Sequence, residues 1–293
     1  MVTVAFLPAA RERCCLDIDS LIRTLPASIR VTRHVDAATD ALVWLPNIAQ
    51  GNTAPEVAAL LEGSNVKWVQ LPMTGVDDYT PIIRATRGKI HWSCAKHTLA
   101  LVLSMMRGLH LQPPPDTTRV DTLHGKQVVM VGNGTIATAL VKMLPPLGCV
   151  VSPHDSASTP EWEKADIVVL ACPLTATTMH LCNSAMLRQL RPGALLVNVA
   201  RGEVVHTPAL ISAIRAGLKA AVDVLDESQL DAEQKEEMQK LVREGRLLVT
   251  PHSAVPMRIV PQVLGERIRQ NLVRIEQGTW DDCIGTVDPD KGY

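Results

Sequence analysis

The chain has 293 residues, 46% hydrophobic and 20% charged, a globular composition with room for one large or two medium domains. Its 29 basic and 30 acidic residues give a net charge of −1, which argues against nucleic-acid and membrane-surface partners. No apolar run approaches the length needed to span a bilayer, and the first ten residues lack the pattern of a signal peptide. We therefore predict a cytoplasmic protein without a membrane partner.

The cysteines form an odd set of seven without the paired short spacings of a zinc site. We expect no metal site, and reduced, mostly buried thiols.

Residues 1–95 alternate short apolar strands with helical stretches, a pattern that predicts a parallel sheet in a first α/β domain. The predicted helix is 55–62, and the predicted strands are 2–7, 29–32, 41–44, 66–71 and 89–93.

A helix predicted over 97–110 is followed by three prolines, so a domain boundary is expected near it. This helix is apolar on more than one face, which suggests a homodimer; the alternative is that those faces are buried within one monomer.

The alternation restarts at Lys126 and predicts a second α/β domain. Its predicted strands are 127–131, 149–152, 167–171, 194–199, 220–224 and 247–250, and its predicted helices are 136–144, 208–216, 231–244 and 258–277.

The most informative local pattern is Gly-x-Gly-x-x-Ala directly after the strand 127–131. In a dinucleotide site Gly132 permits the tight turn, Gly134 lets the backbone approach the pyrophosphate, and Ala137 packs helix against strand. The amides of Thr135 and Ile136, at the start of the helix, would face the phosphate charge. The alternative is an ordinary glycine turn.

An acidic residue, Asp155, follows the next predicted strand, about twenty residues beyond the loop. A carboxylate there accepts hydrogen bonds from the adenosine ribose hydroxyls and disfavours a 2′-phosphate. The predicted cofactor is therefore NAD rather than NADP.

Five further segments resemble, in the same order, motifs of the D-2-hydroxyacid dehydrogenase family, and the resemblance covers nearly the whole chain. They are Trp68-Val69-Gln70-Leu71 with Gly75-Val76-Asp77, Cys172-Pro173-Leu174-Thr175, Leu195-Leu196-Val197-Asn198-Val199-Ala200-Arg201-Gly202, Ala221-Val222-Asp223-Val224 and Thr250-Pro251-His252-Ser253-Ala254.

This resemblance implies roles for single residues. Arg201 would bind the carboxylate and carbonyl oxygens of a 2-oxo acid, and His252 would exchange a proton with the substrate oxygen. Thr74, Gly75 and Val76 would hold the substrate carboxylate.

The resemblance also implies further cofactor contacts. Cys172 and Pro173 would lie beside the nicotinamide half of the cofactor, and Asp223 would hold its carboxamide. Val199 and Ala200 would also contact the cofactor.

The sequence departs from the family pattern in two places. The family has a Glu five residues after the strand Asp, paired with the catalytic His, but that position here is Ser228. Either the loop shifts by one residue and Glu227 takes the role, or His252 has no carboxylate partner. The loop before the helix 97–110 is also shortened, and Lys96 stands where the family has Glu.

We therefore predict two Rossmann-like or flavodoxin-like α/β domains with parallel sheets and a cleft between them. Residues 1–95 with 278–293 would form the substrate domain, and 96–277 the NAD-binding domain. The predicted function is NAD-dependent interconversion of a 2-oxo acid and a D-2-hydroxy acid. The alternative is an NAD(H)-binding regulator or scaffold of the same fold, with weak or lost turnover.

Overall fold

The structure is a computed structural model that describes residues 1–8, 16–46, 53–72, 79, 85–86, 91–112 and 120–287. The chain divides into two units, Met1–Ile90 with Val255–Tyr293 and His91–Ala254. Each unit contains its own parallel sheet, which confirms the predicted α/β class. Within the described ranges, no helix is long and apolar enough to cross a membrane.

The first unit contains a five-stranded sheet with the order β2-β1-β3-β4-β5, in which every described pairing is parallel. This is the flavodoxin-like order, with a switch point between β1 and β3. Numbered along the chain, its elements are β1 (Val2–Leu7), α1 (Ile18–Ile22), β2 (Ile29–Thr32), β3 (Ala41–Trp44), α2 (Ala54–Leu61), β4 (Trp68–Gln70), β5 (Ala85–Thr86) and α8 (Val260–Glu276).

Both faces of this sheet are covered. Val4 and Phe6 of β1 pack with α1 and α8, whereas Ala5 and Leu7 pack on the opposite face with α2. Successive side chains of a strand point to opposite faces, so a strand covered on both faces is apolar throughout.

The second unit contains a six-stranded parallel sheet with the order β11-β10-β9-β8-β6-β7. The chain crosses from β7 to β8 over β6, so a switch point lies between β6 and β8. Its elements are α3 (His91–Arg107), β6 (Gln127–Val131), α4 (Thr135–Met143), β7 (Val150–His154), β8 (Ile167–Leu170), α5 (Ser184–Leu187), β9 (Leu195–Asn198), α6 (Thr207–Arg215), β10 (Lys219–Val222), α7 (Ala232–Arg243) and β11 (Leu247–Val249).

Two apolar layers enclose this second sheet. One contains Leu101 and Val102 of α3 with Leu140 of α4, and the other contains residues of α5, α6 and α7. Apart from the edge strand β7, the strands between them are nearly continuous apolar runs, which explains why the sequence located them within one or two residues.

The strand predicted over 89–93 is wrong for residues 91–93, because α3 already begins at His91. A short apolar run does not distinguish a strand from the start of a buried helix. Residues 87–90 lie outside the described part. The helix then ends at Arg107, before Gly108 with φ +63°, rather than at residue 110.

The boundaries of the units also differ from the predicted ones. The sequence assigned residues 255–277 to the NAD-binding domain, whereas the structure groups them with the first unit. Leu264, Ile268, Leu272 and Ile275 of α8 pack in the same cluster as Phe6 of β1. Periodicity shows that a helix buries one face but does not identify the sheet that covers it.

Candidate active site

The glycine loop lies at the carboxyl end of β6, beside the switch point. Gly132 has φ +107°, and a Cβ built there would lie 2.6 Å from the carbonyl oxygen of Ala171 and 2.9 Å from the amide nitrogen of Cys172. Its own amide donates to the carbonyl of His154 at 2.7 Å. Conformation and space therefore both require glycine at this position.

The loop leads into α4 without a side-chain cap. Its N-cap residue, Gly134, has no side chain, and a Cβ built there would have no neighbour within 4 Å. Gly134 and Thr135 are exposed, while Ile136 packs partly against the core. Uncapped amides at a helix start with open space beside them suit an anionic group. The chain's own residues thus fit the pyrophosphate of a dinucleotide.

Asp155 directly follows β7 and is exposed. Its Oδ1 accepts a hydrogen bond from the amide of Ala157 at 3.0 Å and faces the hydroxyl of Ser158 at 3.4 Å. Its Oδ2 makes no hydrogen bond within the described chain. The turn fixes the carboxylate and leaves one oxygen for a ribose hydroxyl; that role stays a prediction.

After β8, the loop beginning at Cys172 and Pro173 is held by a hydrogen bond from the Thr178 hydroxyl to the Pro173 carbonyl, 2.7 Å long. Burial raises the pKa of the Cys172 thiol to about 11. This side chain is therefore neutral near pH 7.

The segment carrying Arg201 is held by a buried amide. Asn198, 1% exposed at the end of β9, accepts from the Ala200 amide at 3.0 Å. Its Nδ2 donates to the carbonyl of Arg201 at 2.8 Å. Arg201 itself is half-buried, and its Nη1 donates to the carbonyl of Ala200 at 2.7 Å, which turns the side chain back over Val199-Ala200.

Gly202 allows two loops to meet. A Cβ at Gly202 would lie 2.6 Å from the amide nitrogen of Asp226 and 2.7 Å from the carbonyl carbon of Leu225. The loop after β9 therefore packs directly on the loop after β10, and a side chain here would separate them.

His252 stands in a strained turn after β11. Its φ is +51°, a region that residues other than glycine rarely adopt, and its side chain is exposed. Its amide donates to the carbonyls of Asp223, at 3.0 Å, and Thr250, at 2.9 Å. Strain of this kind clusters at functional sites, which supports the role predicted for His252.

The carboxylate of Asp223 organises this turn. It is 3% exposed, and Oδ1 accepts from the Thr250 hydroxyl at 2.6 Å and the Ser253 amide at 2.8 Å, while Oδ2 accepts from the Ala254 amide at 3.1 Å. Since each carboxylate oxygen has about two acceptor positions, Oδ2 keeps one for a carboxamide. This acceptor position would suit the nicotinamide contact predicted for Asp223.

The start of α3 approaches the same residues. Burial, with a smaller contribution from the negative charge of Asp223, raises the pKa of Cys94 to about 11, and the charge of Arg201 opposes this. His97 Nε2 lies 3.2 Å from Oδ1 of Asp223. Lys96, which replaces the family's Glu, is exposed.

Glu227 and Ser228, the two residues nearest to the position of the family's Glu, follow β10, and both are exposed. Glu227 makes no hydrogen bond or ion pair with His252 in the described chain, so its catalytic role stays a prediction. The Ser228 hydroxyl donates to Asp226 Oδ1 at 2.6 Å, and Gln229 Nε2 donates to Asp226 Oδ2. The Ser228 hydroxyl and, secondarily, the Gln229 amide hold the pKa of Asp226 below its usual value.

The predicted substrate-binding residues Thr74, Gly75 and Val76 lie outside the described residues. Within the second unit, the structure brings Arg201, Asp223 and His252 to the carboxyl edge of one sheet. The sequence missed the roles of Asn198, His97 and Thr250. Only Asn198 gave a signal, as a polar residue ending an apolar strand.

A family model described as the D-isomer specific 2-hydroxyacid dehydrogenase, NAD binding domain, matches residues 93–254. The chain belongs to this family. The second unit of this family member is thus its NAD-binding domain, and the predicted resemblance is confirmed.

Similar proteins agree with this membership. A D-specific alpha-keto acid dehydrogenase of Enterococcus faecalis is 31% identical over 213 residues, 63% of this chain and 66% of that protein. A glyoxylate reductase of Thermococcus onnurineus is 29% identical over 173 residues, 53% of this chain and 50% of that protein. A D-isomer specific 2-hydroxyacid dehydrogenase of Xanthobacter autotrophicus, solved with NADPH and MES, is 25% identical with a TM-score of 0.76, and the match covers 99% of this chain and 100% of that chain.

Proposed function

We propose that this protein is an NAD-dependent oxidoreductase that interconverts a small 2-oxo acid and the corresponding D-2-hydroxy acid. The observation that carries the proposal is the common edge of Arg201, His252 and the glycine loop, each following a parallel strand of one sheet. Relatives named as an alpha-keto acid dehydrogenase and a glyoxylate reductase support the substrate class.

Arg201 would bind the substrate carboxylate and polarise the carbonyl. A guanidinium presents several N–H donors in one plane, which matches a carboxylate and is charge-assisted. Its backbone is fixed by Asn198, so less conformational freedom is lost on binding. Thr74, Gly75 and Val76 would supply the remaining carboxylate contacts.

His252 would deliver the proton. NADH, when bound, supplies the hydride that adds to the carbonyl carbon, and the imidazole gives its proton to the carbonyl oxygen, so that a 2-oxo acid, NADH and one proton yield a 2-hydroxy acid and NAD⁺. The reverse reaction uses the same group as a base.

A second candidate function follows from one observation. Position 228 carries Ser, and Glu227 is not bonded to His252, so the imidazole has no carboxylate partner among the described residues. An NAD(H)-binding regulator or scaffold needs the glycine loop but not that partner.

The test is oxidation of NADH by the purified protein with glyoxylate, pyruvate, hydroxypyruvate and bulkier 2-oxo acids. We expect turnover, a loss of about 10²–10⁴-fold in kcat for His252→Ala, and a raised KM for the oxo acid in Arg201→Ala. The exposed residues His34 and Arg188 provide matched controls, since His34→Ala and Arg188→Ala should leave both constants unchanged.

NADH binding without turnover on any oxo acid would reject the enzyme and favour the regulator. The same assay with NADPH tests the preference that Asp155 predicts, because an Asp at the ribose disfavours a 2′-phosphate.

The homodimer and the cytoplasmic location also belong to this proposal. The helix α3 supports a homodimer only in part, since part of its apolar surface is already buried within the second unit, at Leu101, Val102, Met105 and Met106. Sedimentation at several protein concentrations and cell fractionation would test the two.

A further inference from the structure

A histidine that the proposed chemistry does not use lies against the carboxylate of Asp223. His97 Nε2 is 3.2 Å from Oδ1 of Asp223 and 3.1 Å from Oγ1 of Thr250. The Thr250 hydroxyl donates its single hydrogen to the same Oδ1 at 2.6 Å. The oxygen of Thr250 can therefore only accept from His97, so Nε2 of His97 carries a hydrogen.

His97 thus completes a set of donors around a buried carboxylate. The others are the Thr250 hydroxyl and the amides of Ser253 and Ala254, all from the segment that carries His252. His97 is the only donor in this described set from a different element, α3.

The turn bearing His252 depends on Asp223. Asp223 binds this segment through its side chain and accepts from the His252 amide through its carbonyl. A His at φ +51° persists only where the surroundings hold it there. If Asp223 or Thr250 rotated, the backbone of His252 would lose its support.

We propose that His97 is a positioning residue: by donating to the Asp223–Thr250 pair it holds the turn that aims His252. The inference rests on the proposed function, in which His252 exchanges the proton. His97 makes no hydrogen bond to His252 and acts through Asp223 and Thr250.

The test compares two substitutions of His97. Leu has nearly the volume of the imidazole ring but no donor, whereas Gln places an N–H near the position of Nε2. We expect His97→Leu to lower kcat about tenfold to a hundredfold, the effect typical of losing a hydrogen bond to a charged group, and His97→Gln to recover most of it. NADH affinity should fall by a smaller factor than kcat, because only the carboxamide contact predicted for Asp223 is affected and the glycine loop is untouched.

Two measurements separate positioning from general stability. The deuterium isotope effect on kcat, with NADH labelled at the transferred position, should rise in His97→Leu because the chemical step has become slower. The amides of residues 252–254 should exchange hydrogen at least about tenfold faster, since each of them donates a hydrogen bond to Asp223.

His110 supplies a matched control in the same unit. Its ring bridges two carbonyls, those of Ser104 at 3.1 Å and Gly245 at 3.0 Å. His110→Leu should lower the melting temperature as His97→Leu does, and leave kcat, the isotope effect and exchange at 252–254 unchanged.

If His97→Leu folds poorly, Thr250→Val gives a second test, because it keeps the side-chain shape and removes the hydroxyl that accepts from His97 and donates to Asp223. It should reproduce the slower step and the faster exchange. Unchanged kcat and exchange in either variant would overturn the proposal, as would an equal loss in His97→Leu and His97→Gln. If the unmodified protein has no turnover, the proposed function fails, and the exchange rates at 252–254 still decide whether His97 holds the turn.

Discussion

Ser228 occupies the position at which the family pattern has a Glu. Its hydroxyl and amide both bind Asp226, so in the described structure it supports a neighbouring carboxylate and not His252. In the proposed reaction, a neutral side chain at this position would leave the imidazolium formed during oxidation of the alcohol without a counter-charge.

We predict that Ser228→Glu raises kcat/KM for reduction of the 2-oxo acid near pH 7 by about tenfold. It should also move the alkaline limb of the pH–rate profile for this reduction to higher pH, because a carboxylate stabilises the protonated imidazole. Ser228→Gln is the matched uncharged control and should do neither. Equal profiles for the two variants, with NADH binding intact, would show that the absent Glu does not limit the reaction.

Cys94 provides a prediction from its environment. Burial raises the pKa of its thiol to about 11, from a usual 9.0, so the reactive thiolate is rare at neutral pH. Alkylation of Cys94 by iodoacetamide should be about a hundredfold slower at pH 8 than that of an unstructured peptide thiol, and the rate should rise about tenfold per pH unit up to pH 10. Peptide mass spectrometry measures the alkylation rate of Cys94. Rapid labelling at pH 7 would show that the pKa of this thiol is not raised.

At the scale of single residues, the sequence predicts which side chains have suitable chemistry but does not predict which of them are in contact. Gly132, Arg201 and His252 were found because each lies in a motif of recognisable spacing. The bonds from His97 and Thr250 to Asp223 join residues far apart in the chain, and no spacing reveals such a contact.

At the scale of elements, the strand–loop–helix unit of β6 and α4 uses its two glycines for different reasons. Gly132 avoids a collision with Ala171 and adopts a positive φ, whereas Gly134 has φ −82° and open space where a Cβ would be.

We predict that Gly134→Ala folds with an unchanged melting temperature but binds NADH at least about tenfold more weakly, because the methyl group occupies space that the pyrophosphate needs. Gly132→Ala should instead lower the free energy of unfolding by about 1–3 kcal/mol or more. Calorimetry of NADH binding and thermal unfolding of both variants check this. Unimpaired NADH binding by Gly134→Ala would place the pyrophosphate elsewhere.

Element prediction succeeded where a run was apolar and bounded by Gly or Pro, as for β6 and β9, and failed for short pieces. The helices α1 and α5, with five and four residues, are too short for a helical period to appear. Both begin with a side-chain cap, from Asp17 and Asn183, but a cap without a helical period does not predict a helix.

At the scale of the whole molecule, the chain leaves the first unit before His91 and returns to it at Val255. The sequence predicted the number of units and their class but misplaced α8. The stripe Leu264, Ile268, Leu272 fits the face of either sheet by periodicity, and only the packed structure identifies its partner.

A substitution in α8 tests that assignment. Ile268 is fully buried, so Ile268→Ala should lower the stability of the first unit by about 2–5 kcal/mol and speed hydrogen exchange in β1 and β3, with exchange in β6 and β8 unchanged. Leu196→Ala, at an equally buried position of β9, should show the reverse. Faster exchange in β6 and β8 on replacing Ile268 would return α8 to the NAD-binding unit.

The return of the chain to its first unit sets an order of events on the ribosome. All of His91–Ala254 is synthesised before α8, so the NAD-binding unit can fold while the apolar face of β1 and β3 is covered by α1 but still lacks α8. At about 5–20 residues per second, that face waits on the order of tens of seconds for Leu264 and Ile268. During this interval Phe6 and Val43 lack the packing of α8, so the length of the exposure depends on how quickly synthesis passes through the NAD-binding unit.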